Sequence, residues 1–102
     1  MSKRVLVVAR DLLFRSKLRG VVTSAGDAVA SNDDDCDLAV VEIEAPQWEE
    51  RVRALVARGV PVLAFGSHVH ADLLRLAREA GADAVPNSQV AEILRVRIGM
   101  LG

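Results

Sequence analysis

Apolar residues in this chain follow two rhythms. In short stretches they run without alternation: VLVVA at 5–9, LAVV at 38–41 inside DLAVVEI, VPVLAF at 60–65, and the briefer 28–30 and 82–85. Runs of this length, rich in Val and closed by turn residues, predict strands buried on both faces. Between them the apolar positions recur at helical spacing. Phe14, Leu18, Val21, Val22 and Ala25 form one stripe, and Trp48, Val52, Leu55 and Val56 a second. Leu73, Leu74, Ala77 and Ala80 form a third, and Val90, Ile93, Leu94, Ile98 and Leu101 a fourth. Gly26, Gly59 and Gly81 stand where the first three helices should stop. Asp11, Pro46, His70 or Asp72, and Ser88 mark where helices should begin.

The predicted order is β-α-β-β-α-β-α-β-α. Strands alternating with helices predict an α/β three-layer sandwich around a five-stranded, mainly parallel sheet. One step breaks the rhythm. Residues 31–37 are too few for a crossover helix, which needs a dozen or more. Either a tight loop crosses there, or the 28–30 strand pairs antiparallel at an edge.

Composition narrows the function classes. A chain of 102 residues that is 51% hydrophobic suits a single domain spanning 1–102. With one Trp, two Phe and no Tyr, its core must be aliphatic. A net charge of -1 provides no global field for nucleic acid, although 11 of the 13 basic residues are Arg. Those arginines are spread over several helices, with no aromatic platform among them. One cysteine, Cys36, allows no internal disulfide and suits a reducing cytoplasm. No apolar run reaches the ~18 residues of a membrane span, and the charged first 20 residues do not form a signal peptide. The expected localisation is cytoplasmic.

Four segments, VLVVARDLLFR (5–15), DLAVVEIEAP (37–46), VPVLAFGS (60–67) and REAGADAV (78–85), stand in an order and at a spacing that resemble the receiver domain of bacterial response regulators. The resemblance covers nearly the whole chain. It implies a flavodoxin-like, CheY-like fold with strand order 2-1-3-4-5, in which the second helix is missing or vestigial. It also implies a site. A working receiver carries a phosphoacceptor Asp after the third strand, two cation-binding acids after the first, a Ser or Thr after the fourth, and a Lys followed by Pro after the fifth. An acyl phosphate formed among carboxylates needs a hard cation and a Lys to balance its charge. Here Glu42 stands at the phosphoacceptor position. Ala9 and Arg10 stand at the two acid positions, with Asp11 one step on. Gly66 occupies the Ser/Thr position, followed by Ser67, and Ser88 and Gln89 replace Lys and Pro. Pro46 matches. The framework is kept and the reactive set is replaced, which describes a degenerate or pseudo-receiver. An Arg10–Glu42 ion pair would stand in for cation and phosphate.

The expected function is a non-catalytic, phosphorylation-independent signalling or protein-interaction module that is not an enzyme and needs no cofactor. Its partner is a protein or a second copy, with no nucleic acid and no membrane. The last helix carries the expected interface. Val90 and Ile93 belong to its apolar stripe, Val96 and Met100 widen it, and Arg97 falls inside it, with Leu76 of the preceding helix nearby. Receivers resembling this chain often dimerise through that face.

The alternative is a small-ligand or metal sensor using the C-terminal edge of the sheet. Its groups would be Arg10, Glu42 and the weak metal candidates His68 and His70, with Asp72 close by. The acidic turn NDDD at 32–35 reads first as a solvated loop and second as part of a cation site. Cys36 reads as a half-buried packing residue, because no His stands near it to activate a thiolate. No Walker loop or GxGxxG is present.

Overall fold

A computed structural model describes residues 3–101; Met1, Ser2 and Gly102 lie outside these residues. The elements are β1 (Arg4–Val8), α1 (Leu12–Ser24), β2 (Ala28–Val29), β3 (Leu38–Glu42), α2 (Trp48–Ala57), β4 (Val62–Gly66), α3 (Ala71–Glu79), β5 (Asp83–Pro86) and α4 (Val90–Met100). A single turn of 3-10 helix, His68–His70, leads into α3. The strands form one sheet, ordered β2-β1-β3-β4-β5. Every pairing is parallel.

The unalternating runs behave as their pattern predicts. All five residues of β3 are buried, and so are all five of β4. Helices cover both faces. On one face α1 and α4 pack Leu18, Val22, Leu94 and Ile98 against Val5, Val40, Leu63 and Phe65. On the other, α2 and α3 pack Val52, Leu55, Leu74 and Ala77 against Leu6, Ala39, Val41 and Ala64. The rings of Phe14 and Phe65 lie 5.5 Å apart in a tilted pair.

The strand at 28–30 pairs parallel with β1, and no helix intervenes before β3. This works because β2 is so short. Val29 lies beside Val5, and Val5 lies beside Leu38, so β2 ends level with the start of β3. The chain need only step across one strand and never runs back along the sheet. That is a gap of about 10 Å, well within the reach of residues 30–37. An arginine of α2 and the one at its C-cap hold the crossing loop in place of a helix. Arg51 donates to both carboxyl oxygens of Asp33 at 2.6 and 3.1 Å, and Arg58 donates to the Asp33 carbonyl at 2.8 Å. The Arg51 hydrogen bond holds the Asp33 carboxyl below the usual carboxylate range, against an opposing push from burial.

Several boundaries differ from the sequence expectation. Pro46 precedes the N-cap of α2, Gln47, which adopts a left-handed φ of 60°. Ser88 is exposed and does not cap α4, whose N-cap position is Gln89, with no side-chain bond. Ala25 is the exposed C-cap of α1 and does not continue its stripe. The glycine stops hold. At Gly81 φ is +102°, and a Cβ would press on Val56 Cγ1 at 2.7 Å, so both backbone and packing call for glycine.

Candidate functional site

The carboxyl ends of β1, β3 and β4 converge on one edge of the sheet, as all-parallel pairing requires. Glu42 ends β3 beside Phe65 of β4. At 6% exposure it is the only buried charged side chain among the described residues. Its Oε1 accepts the backbone N–H of Arg10 at 2.6 Å and that of Asp11 at 3.1 Å. The chain leaving β1 turns into α1 at these two residues, and the turn aims both N–H groups across at β3.

The expected Arg10–Glu42 ion pair does not form. Arg10 is exposed, and its guanidinium is in no ion pair among the described residues. The backbone satisfies Glu42 at no entropic cost to a long side chain, so the guanidinium stays in water. Asp11 is the N-cap of α1, and its Oδ1 accepts the N–H groups of Leu13 and Phe14 at 2.8 and 3.2 Å. Both carboxyl groups near the end of β1 are thereby engaged with backbone donors. A small open pocket of about 220 Å³ remains, lined by Arg10, Asp11, Glu42 and Glu44.

Gly66 closes β4 and is buried. A Cβ built there would run into Cγ1 and Cδ1 of Ile43, well inside contact distance. Ile43 is itself 1% exposed, so its side chain fills the space a residue at 66 would need. Gly66→Ser is therefore expected to destabilise the fold by about 1–3 kcal/mol through overpacking. Urea unfolding of the variant checks this. A midpoint unchanged from wild type would show that Ile43 yields freely.

The other sequence candidates scatter. Ser67 Oγ accepts the N–H of Val69 at the turn after β4. His70 Nε2 lies 2.7 Å from Glu44 Oε1, while His68 is exposed. Among the described residues no three His, Cys, Asp or Glu side chains come together as a metal site. The acidic turn is consumed by arginines, Asp33 by Arg51 and Asp35 by Arg4. Cys36 is half-buried, and burial pushes its thiol up, away from thiolate character.

Two residues near this edge were not anticipated. Arg15 turns back to donate from Nε and Nη2 to the Ala9 carbonyl at 3.3 and 3.0 Å. Asn87 is the residue held against the end of β4, through its N–H to Gly66 O at 2.8 Å, and its Oδ1 is buried without a partner. β5 ends at Pro86 opposite Gly66, and Ser88, two residues beyond, is exposed.

Neither family models nor curated proteins match the sequence. Solved structures match along nearly all of it. The BeF3-activated DrrB receiver domain superposes with a TM-score of 0.81 at 19% identity, covering 99% of this chain and 97% of that one. The receiver domain of TorR, a response regulator of the TMAO respiratory system, gives 0.77 at 20%, covering 97% and 95%. A response regulator from Thermotoga maritima gives 0.73 at 19%, covering 99% and 98%. The chain has the receiver fold.

On this receiver fold the expected α4 interface is narrower than its stripe suggested. Val90 is fully buried in the core, which removes it from any surface. Its place one residue inside α4 turns it onto Phe65 and the sheet rather than outward. Ile93 and Leu76 are half-buried, and Arg97 pairs with Asp83 of β5 at 2.5 Å. Val96 and Met100, four residues apart, remain exposed at 54% and 74%. No helix among the described residues is long and apolar enough to cross a membrane.

Proposed function

We propose that this chain is a non-catalytic receiver-fold module that works by protein contact and without phosphorylation. The observation that carries this reading is the state of Glu42. It stands where the resemblance places the phosphoacceptor, and its Oε1 is taken up by the N–H groups of Arg10 and Asp11. The surroundings support the same reading. Ala9 and Arg10 provide no acid pair for a divalent cation, and Ile43 occupies the space beside Gly66. No Lys follows β5 to balance a phosphoryl group.

The contact surface we assign is the outer side of α4, with Val96 and Met100 as its exposed apolar positions. A second copy or another protein would cover it. The module would act in the cytoplasm as a single unit, with no cofactor and no enzymatic step.

Incubation with acetyl phosphate and magnesium, followed by intact mass, tests the reading. The expected result is an unchanged mass. A stable gain of one phosphoryl group, lost in Glu42→Gln, would overturn it.

A further inference from the structure

The short β2–β3 connection has a second consequence. β2 pairs only with Arg4 and Val5, so β1 runs on past it with one edge uncovered. A groove of about 480 Å³ opens there, bounded by the end of β1, the crossing loop and the turn before α2. Its volume falls in the range of small-molecule sites, roughly 300–1,000 Å³. The groove lies on the edge of β1 that faces away from β3, between the crossing loop and the arginines of α1.

The charge on its walls is one-sided. Arg10, Arg15, Arg19 and Arg51 line it, against one acid, Asp33. Four positive charges less one negative leave three positive on a chain whose net charge is -1. Two of the four are already held in place. Arg15 is fixed by the Ala9 carbonyl and Arg51 by Asp33. Arg10 and Arg19 are in no ion pair among the described residues. Between the arginines the buried side chains of Leu6, Val8, Ala30 and Ala45 form a small apolar floor.

We infer that this groove binds a small organic phosphate, with Arg10, Arg15 and Arg19 around the phosphate and the rest of the molecule over the apolar floor and the polar loop at Ser31 and Asn32. Planar guanidinium forks match phosphate oxygens in pairs, and Arg15, already held by the Ala9 carbonyl, loses little freedom on binding. The groove is far larger than a bare phosphate ion needs, so the ligand has a body as well as a charge. The site is separate from Glu42 and involves no bond making, so it can exist whether or not the protein-contact role holds.

Calorimetric titration of the full chain without magnesium tests the inference, using ADP, ribose phosphate, inorganic phosphate and uncharged adenosine. Saturable binding of ADP or ribose phosphate is expected, weakening as salt is raised, with no binding of adenosine. Arg19→Glu should weaken that binding by about tenfold or more, with thermal unfolding unchanged because Arg19 is exposed. Arg15→Gln should weaken it as well. The inference fails if neither organic phosphate binds at millimolar concentration. It also fails if Arg19→Glu binds as wild type does, or if inorganic phosphate binds as tightly as the organic phosphates.

Discussion

Glu42→Ala should unfold at a markedly lower urea concentration than wild type, corresponding to a loss of about 2–3 kcal/mol. Truncation leaves the N–H groups of Arg10 and Asp11 without their acceptor, on a segment that links β1 to α1. A buried donor left unpaired costs roughly 1–3 kcal/mol. The loss stays near the lower end of the two-bond sum because Arg10 and Asp11 are exposed enough for water to replace one bond. Glu42→Gln keeps an acceptor oxygen and should lose about half as much. Glu42→Asp keeps the carboxyl group but is one methylene shorter, so it should fall between wild type and Ala. If Glu42→Ala unfolds within ~0.5 kcal/mol of wild type, Glu42 has no structural role at this edge and the account of a site held closed by backbone bonds is wrong.

A still larger loss is expected from Phe65→Ala, about 3–5 kcal/mol. Phe65 is wholly buried in β4, next to Glu42 in register, and packs against Phe14 of α1. Its removal opens a cavity among Leu18, Val40, Leu63 and Val90, residues of two strands and two helices that cannot close on it together. Phe65→Leu refills most of the volume and should recover more than half of the loss. The two series differ in kind. The Phe65 variants should lower stability without moving the loop at residues 9–11, while Glu42→Ala should raise amide exchange at Arg10 and Asp11 specifically. Equal exchange at those amides in both variants would argue against the bonds to Oε1.

Much of the fold was legible in the sequence because its apolar residues leave little choice. Unalternating runs such as LAVV at 38–41 can be covered only by helices on two faces, and the spacing of Leu18, Val22, Leu55 and Ala77 provides those helices. The framework of the candidate site was legible for the same reason. Strand ends follow from strand runs, so Glu42 and Gly66 stand at the ends of β3 and β4 as expected. What was not legible is how the groups there are partnered. Arg10 and Glu42 suggest an ion pair because side-chain charges can be read from a sequence, whereas the direction of a backbone N–H in a turn cannot. Asn87 is held by its N–H to Gly66 O, a contact between segments twenty-one positions apart that no local pattern announces. Val90 has the same apolar character as Val96, yet one lies against Phe65 and the other faces outward.

The sequence by itself determined the layers and the mainly parallel sheet, because hydrophobic period is a local property. The tertiary structure alone decided what took the place of the missing helix and which groups partner Glu42. A strand of two residues ends level with the start of β3, so a loop pinned by Arg51 can cross without a helix and leaves an arginine-lined groove. Glu42 is held by two N–H groups that lie more than thirty positions before it, and Ile43 fills the space over Gly66. Each of these depends on the distance between segments far apart in the chain, which packing sets and which no local pattern of residues records.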